Sequence, residues 1–88
     1  MTTTERATLT VRILLFGSYA EFLGREALEL ALPEPATIGD AVARLRSFPG
    51  GNRLPARPLC ALNLSQVPAE APLSSGDELA ILPPLAGG

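Results

Sequence analysis

The chain ends in the uncharged segment ILPPLAGG, and the terminal carboxylate at Gly88 is the group that we expect to do chemistry. A carboxylate is a poor electrophile, but activation as a mixed anhydride with AMP opens its carbon to attack by a nucleophile such as sulfide. Gly87 and Gly88 have no Cβ, so they can pass through a narrow channel and leave the carboxylate unshielded. This composition predicts a reactive chain end that enters another protein.

The residues before the two glycines suit docking in such a channel. Pro83 and Pro84 have a fixed φ, which keeps the segment extended and limits the entropy that is lost on binding. Leu85 supplies one apolar anchor, and Ala86 is slim. We therefore predict that the channel is filled by Pro83, Pro84, Leu85, Ala86 and Gly87, and that Gly88 carries the reaction.

The residue types that the chain lacks exclude most other chemistry. It has seven Arg and one Cys among 88 residues, but neither Lys nor His. Without His there is no Ser–His or Cys–His pair, and Cys60 alone leaves zinc without its usual ligands. The net charge of −2 and the lack of a basic stripe argue against a nucleic-acid partner. We therefore expect no metal site, and a chain that presents a group to a partner rather than one that catalyses a reaction alone.

Length and hydropathy fit one small folded domain. Apolar residues make up 47% of the chain and charged residues 18%, which is typical of a folded protein. The apolar runs are too short to span a bilayer, and the opening segment MTTTERAT lacks the apolar stretch of a signal peptide, so we expect a cytoplasmic protein with no membrane partner. The expected organisation is a frayed N-terminal tail at 1–7, a domain at 8–82 and an extended, flexible tail at 83–88.

The pattern of apolar residues predicts the elements that must position the tail. Alternation with period two predicts strands, and spacing of three and four predicts helices. The strands are predicted at 8–16, 26–32, 59–64 and 78–82, with a short extra strand at 65–67, a short helix at 17–24, a main helix at 37–48 and a mobile loop at 49–58. Only the main helix is long enough to cover a sheet face. The fold class is therefore α+β, a mixed sheet with one main helix across one face and a short helix after the first strand.

Local signals predict where the two helices begin and end. Ser18 and Glu21 have the spacing of a capping box, in which each side chain satisfies a free amide at the helix start. Thr37 and Asp40 have the same spacing at the start of the main helix. Gly24 suits a left-handed cap at the end of the short helix.

The sheet face turned away from the main helix is predicted to be a partner interface. Alternation places Leu14, Phe16 and Leu82 on this face, together with Leu62 or Leu64. Such a face is too apolar to be left in water, and exposed apolar patches commonly mark protein interfaces. The predicted interface residues are Phe16, Leu62, Leu64 and Leu82.

Three segments carry a resemblance to a known family. They are ILLFGSYAEFLG near the start, ALNLSQV in the middle and PLSSGDELAILPPLAGG at the end. Over residues 9–88 the chain resembles the MoaD-type branch of the MoaD/ThiS family of sulfur carriers, the small subunits of molybdopterin synthase. The Pro-Pro before the terminal glycines favours this branch over the thiamin branch. The resemblance implies a ubiquitin-like β-grasp fold.

The resemblance also implies a reaction cycle. An adenylating enzyme related to the ubiquitin activators uses Mg-ATP to form an acyl-adenylate at Gly88, and a sulfur donor converts it to a thiocarboxylate. The tail then enters the large synthase subunit, where the sulfur passes to cyclic pyranopterin monophosphate and builds the dithiolene of molybdopterin. Two small and two large subunits assemble. ATP is thus used in trans by the activating enzyme, and no tightly bound cofactor is expected.

Two positions depart from the family pattern. The first helix has Ala20 where family members usually carry Arg. In the middle segment Leu62 and Asn63 are followed by Leu64 and Ser65 rather than by a polar pair, so this turn is expected to differ. Asn63 itself is expected to tie its loop to the backbone rather than to bind a ligand.

The residues also allow three other functions. The chain could donate thiocarboxylate sulfur to another pathway, such as thiamin synthesis, tRNA thiolation or cysteine synthesis. It could be a ubiquitin-like modifier that is joined to lysines of target proteins, although its lack of Lys excludes chains built on itself. It could also be a β-grasp interaction module with an inert tail.

Overall fold

The computed structural model of the chain describes residues 7–84, and in this part it contains five strands and two α-helices. The elements are β1 (Thr8–Leu15), α1 (Gly17–Leu23), β2 (Ala27–Pro33), α2 (Ile38–Arg46), a turn of 3₁₀ helix (Gly51–Arg53), β3 (Leu59–Leu62), β4 (Ser65–Gln66) and β5 (Glu78–Leu82). Apart from the 3₁₀ turn, each of them was expected from the sequence, with ends that differ by at most two residues. No helix in residues 7–84 has the length and apolar character that are needed to cross a bilayer.

The described strands form one mixed sheet in the order β2–β1–β5–β3–β4. β1 and β5 are parallel, and the other neighbouring pairs are antiparallel. The first and the last strand therefore lie side by side at the centre of the sheet. With α2 on one face and α1 directly after β1, this architecture confirms the α+β prediction.

The core lies between α2 and the sheet. Every second residue of β1 is buried, as a strand with one covered face requires. Ile13 of β1, Leu79 of β5 and Leu45 of α2 are fully enclosed, and no side chain of the core cluster is charged. Because of this core, the sheet is a rigid support for the chain segments that continue from its strands.

α2 forms where the sequence signals predicted it. The Thr37 hydroxyl oxygen accepts a hydrogen bond from the Asp40 amide at 3.2 Å, and the Thr37 amide donates to the Asp40 carboxylate at 2.8 Å. This is the reciprocal capping box that the spacing predicted. The predicted apolar stripe is the buried face of the helix, consisting of Ile38, Ala41, Val42 and Leu45.

The capping box predicted for α1 is wrong. The helix begins at Gly17, with Phe16 as its N-cap, and no side chain caps it. Ser18 therefore lies inside the first turn, where its hydroxyl cannot serve as the N-cap acceptor. The other end of the helix is as predicted, because Gly24 has φ +74° and its amide donates to the Ala20 carbonyl at 2.8 Å.

The segment 49–58, which the sequence analysis predicted to be a mobile loop, is fastened to both helices. Leu54 is 1% exposed, and its carbonyl accepts a hydrogen bond from Nε of Arg46 at 2.9 Å. A Cβ on Gly50 would overlap the carbonyl oxygen of Phe22 in α1, so only glycine allows this close approach. The loop thus packs against both α1 and the end of α2, and it helps to hold α1 in place.

Candidate functional site

The predicted reactive tail begins at the centre of the sheet. Because β1 and β5 are parallel and in register at Leu15 and Ile81, both strands end at the same edge. The chain after β5 therefore leaves beside the start of α1. Pro83 is half-buried and Pro84 is exposed.

The remaining tail residues are Leu85, Ala86, Gly87 and Gly88, which lie outside the described residues. Their predicted roles in the channel and in the reaction stay predictions.

Pro83 packs against the first residue of α1. Gly17 has φ +55°, and a Cβ built on it would lie 3.2 Å from Cγ of Pro83. Proline has no N–H to continue a strand ladder, which agrees with the end of β5 at Leu82. The tail thus has a defined root within the described part of the chain.

The sheet face opposite α2 carries a continuous apolar surface next to this root. Register places Leu14 and Ala61 beside Ala80, and Leu59 beside Leu82. Phe16 extends this surface beyond the end of β1, with an extended backbone and a side chain that is 45% exposed. We call this surface the open patch, and its residues are Leu14, Phe16, Leu59, Ala61, Ala80 and Leu82.

Charged side chains border the open patch at the end away from the tail. Arg12 lies on the same face of β1 as Leu14, and register places it between Glu29 of β2 and Glu78 of β5. An apolar centre with a charged rim is the usual anatomy of a protein interface. The open patch therefore has the composition of a docking surface.

The structure places two of the four predicted interface residues on the open patch, namely Phe16 and Leu82. Leu62 is not there, and its placement on this face is wrong. It is opposite Leu79 in the β3–β5 pair and packs against the core, on the face that α2 covers. The residue of β3 that sequence reasoning missed is Leu59, which is 45% exposed on the open side. The sequence carried no signal for Leu59, because all four residues of β3 are apolar and only the pairing with β5 decides which of them are covered.

The fourth predicted interface residue, Leu64, lies at the far end of the sheet from the tail. It occupies the turn between β3 and β4, and it is 93% exposed. Asn63 and Leu64 have φ of +48° and +77°, the arrangement of a type I′ hairpin turn. Leu64 is thus separated from the open patch, and its interface role stays a prediction.

Asn63 holds this turn to the start of β5. Its side-chain oxygen accepts a hydrogen bond from the Glu78 amide at 3.0 Å, and its side-chain amide donates to the Asp77 carboxylate at 3.1 Å. The expectation that Asn63 ties its loop to the backbone is confirmed.

Cys60, the one thiol of the chain, is not a candidate reactive group. It is buried in the core, and its thiol donates to the Pro58 carbonyl at 3.5 Å. Burial raises its pKa to about 11, because the apolar surroundings disfavour the thiolate. Since the thiolate is the reactive form, this thiol does not compete as a nucleophile at neutral pH. Residues 7–84 also hold no group of three Cys or acidic side chains that could bind a metal ion.

Comparison with known proteins gives a consistent result. The model of the ThiS family matches residues 13–88. The crystal structure of SAMP1 from Haloferax volcanii has a TM-score of 0.76 at 25% identity, over 90% of this chain and 99% of that one. A putative molybdopterin converting factor subunit 1 from Pyrococcus furiosus has a TM-score of 0.76 at 19% identity, over 88% and 99%.

A third similar structure is a protein–protein complex. It contains subunits 1 and 2 of the molybdopterin-converting factor from Helicobacter pylori, and the match has a TM-score of 0.66 at 23% identity, over 91% of this chain and 100% of that one. The mixed sheet and two helices that the compared structures share are the ubiquitin-like β-grasp, which confirms the expected fold.

Proposed function

The chain belongs to the ThiS family, and from this membership we propose that it is a sulfur carrier in which Gly88 becomes a thiocarboxylate. More specifically, we propose that it is the small subunit of molybdopterin synthase. It donates the sulfur of Gly88 to cyclic pyranopterin monophosphate that is bound in a large subunit. The similarity to subunit 1 in the Helicobacter pylori complex supports a partner of the large-subunit kind.

The observation that carries this proposal is the position of the tail root beside the open patch. Pro83 and Pro84 leave the domain at the same edge as Phe16 and Leu82. A partner that covers the open patch is therefore placed to receive the tail in the same encounter. Burial of the patch supplies apolar binding energy, and the tail supplies the reacting group.

The chemistry uses the chain end and no side chain of this protein. An oxygen of the Gly88 carboxylate attacks the α-phosphorus of Mg-ATP on an adenylating enzyme, and pyrophosphate leaves. Sulfur at the oxidation level of sulfide then attacks the carbonyl carbon, and AMP leaves with one of the original oxygens. The thiocarboxylate sulfur then attacks a side-chain carbon of the pterin substrate, and the carbon–oxygen bond at that carbon breaks, so that the oxygen leaves with the phosphate or as water. Water next attacks the Gly88 carbonyl carbon, which leaves the sulfur on the pterin and restores the carboxylate. Two such transfers supply the two sulfur atoms of the dithiolene.

The proposal is tested by reconstitution. The protein is converted to its thiocarboxylate with an adenylating enzyme, Mg-ATP and sulfide, and it is then mixed with a large subunit and cyclic pyranopterin monophosphate. We expect molybdopterin to form in proportion to the thiocarboxylate supplied, and none to form from a variant that lacks Gly88. Formation of the thiocarboxylate without any molybdopterin, with a large subunit that is active toward another small subunit, would contradict the molybdopterin assignment and leave a carrier for another pathway.

Similarity to SAMP1, a small archaeal modifier protein, supports a second candidate function. In a ubiquitin-like modifier the same acyl-adenylate is passed to a lysine amine of a target protein, and an isopeptide bond forms at Gly88. We expect such adducts to be detected by mass spectrometry in cells that express the parent chain, and to be absent when Gly88 is deleted. If the protein forms a thiocarboxylate from sulfide in the reconstitution and no lysine adduct is detected in these cells, the modifier function is contradicted.

A further inference from the structure

The described part of the tail rests on α1, and we infer that Gly17 is a positioning residue that sets the direction in which the tail leaves the domain. The inference rests on the proposed function, because it concerns how Gly88 reaches a partner. It assigns a role in the transfer reaction to a residue that lies at the other end of the chain.

The contact depends on the missing side chain of Gly17. At φ +55° the residue is in the left-handed region, which side chains disfavour. A Cβ there would lie 3.2 Å from Cγ of Pro83, closer than the usual 3.5–4.0 Å between packed carbon atoms. Pro83 is half-buried whereas Pro84 is exposed. The ring of Pro83 is therefore the point at which the tail root meets the domain.

The surface under this ring is held in place independently of the tail. Tyr19, two residues into α1, is 5% exposed and belongs to the core. Further along the helix, the ring of Phe22 lies 4.3 Å from the Arg53 guanidinium, and the Phe22 carbonyl abuts Gly50. Because α1 is anchored along its length, the position of Gly17 is set by the domain, and the ring of Pro83, which directly follows β5, packs against it.

A small rotation at this point has a large effect at the chain end. The five residues after Pro83 reach about 17 Å when extended. If the tail stays extended when it enters a partner, a rotation of roughly 10° at the root moves the carboxylate by about 3 Å. Misplacement of a reacting group by about 1 Å can lower the rate ~100-fold. Pro83 and Pro84 carry part of such a rotation into the tail, because the ring fixes their φ and leaves only ψ free.

The chain offers a matched control for this contact. Gly24 also has a positive φ, +74°, but a Cβ built on it meets no atom within 4 Å. Gly17→Ala and Gly24→Ala therefore impose the same kind of backbone strain at the two ends of one helix, and only the first pushes on Pro83. If the alanine variants fold poorly, Gly17→Asn and Gly24→Asn form a second matched pair, because Asn tolerates the left-handed region better than Ala.

The kinetic test uses both variants as thiocarboxylates with the large subunit. We expect Gly17→Ala to lower kcat for sulfur transfer at least about tenfold, with KM for the large subunit within about twofold of the parent. Gly24→Ala should keep the parent kcat at a similar melting temperature. Adding Pro83→Ala should make the Gly17→Ala change nearly silent, because the clashing ring atom is gone. Equal kcat for the two alanine variants would overturn the inference.

A second measurement reads the tail direction without any enzyme. A nitroxide is attached to Ala86→Cys, and the broadening of backbone amide signals is recorded by NMR; buried Cys60, with its pKa of about 11, stays unlabelled at neutral pH. We expect the parent and Gly24→Ala to broaden the same amides and Gly17→Ala to broaden a different set. The same set in all three proteins would overturn the role of Gly17. A parent protein that shows one defined tail direction but never forms a thiocarboxylate would instead contradict the proposed function.

Discussion

Leu64 occupies a backbone conformation that its side chain disfavours. A left-handed φ costs a residue with a Cβ roughly 1–2 kcal/mol, and Leu64 has no compensating burial, since it is 93% exposed. In type I′ turns the pair Asn-Gly is strongly preferred, and here Asn63 is followed by Leu. The stability of the domain alone therefore does not explain why Leu64 occupies this turn.

Leu64→Gly should raise the free energy of unfolding by about 1 kcal/mol, because it relieves this strain and completes an Asn-Gly turn. Urea unfolding measures the change. Leu64→Asn is the control, because Asn also tolerates the left-handed conformation. If Leu64 is an interface residue, as the sequence predicts, the same stabilised variant should bind a partner more weakly. A more stable protein with undiminished partner affinity would show that Leu64 has no interface role.

The buried thiol of Cys60 makes a prediction about pH. Its folded-state pKa is raised from 9.0 to about 11, so the fold favours the neutral form. A group of this kind contributes stability below its unfolded pKa, and that contribution is lost as pH rises through the folded pKa. We therefore expect the free energy of unfolding to fall between about pH 9 and about pH 11. The difference between the parent and Cys60→Ala isolates the thiol from other titrating groups, and a difference that is constant over this range would contradict the assignment.

At the scale of the elements, agreement between sequence and structure depends on whether the deciding contacts are local. α2 was predicted with its cap and its buried stripe, because Thr37, Asp40 and the apolar residues act within a few turns of chain. For the short helix α1 the range was predicted but the cap was not: Ser18 was expected as the N-cap, two residues after the observed N-cap Phe16. No side chain caps this helix, and its first residue, Gly17, packs against Pro83, 66 positions away in the sequence. Contacts of that kind leave no local pattern.

The face of β3 shows the same limit. Leu59, Cys60, Ala61 and Leu62 are all apolar, so hydropathy alone does not tell the covered face from the open one. Pairing with β5 decides it, since Leu62 lies opposite the fully buried Leu79. The open patch could therefore be predicted as a feature of the fold, but its membership required the register.

Leu59 and Leu62 give a matched test of the two faces, with the same residue type on one strand. Leu62→Asp should lower the free energy of unfolding by more than about 2 kcal/mol, because it places a carboxylate against the core. Leu59→Asp should cost about 1 kcal/mol or less and should weaken binding to the large subunit at least about tenfold, because the charge would be buried at the interface. Urea unfolding and calorimetric titration measure the two effects. If Leu59→Asp lowers the stability strongly and Leu62→Asp weakens binding instead, the covered and open faces have been assigned the wrong way round.

The domain as a whole is a rigid support for a short chain end. The core, the loop at 49–58 and the central pair of parallel strands all fix the place where Pro83 leaves the sheet. The open patch lies at that same place. Under the proposed function, recognition belongs to the sheet face and chemistry to the tail, so the two should be separable by mutation.

Gly87→Val tests this separation. The variant keeps the terminal carboxylate but adds a branched side chain one residue before it, which should clash in a narrow channel or force an unsuitable backbone angle. We expect an unchanged melting temperature, binding of the open patch to the large subunit that is weaker but still measurable, and a loss of sulfur transfer. Transfer at the parent rate would show that the glycines are not needed for access.

The role of Gly88 as the reacting group is tested by mass spectrometry of the intact protein after incubation with its adenylating enzyme, Mg-ATP and sulfide. We expect one oxygen to be replaced by one sulfur, and fragmentation to place this sulfur on Gly88 and on no other residue. A protein whose mass does not change, with an adenylating enzyme that is active toward another carrier, or a sulfur that is found on Cys60 instead, would contradict this role.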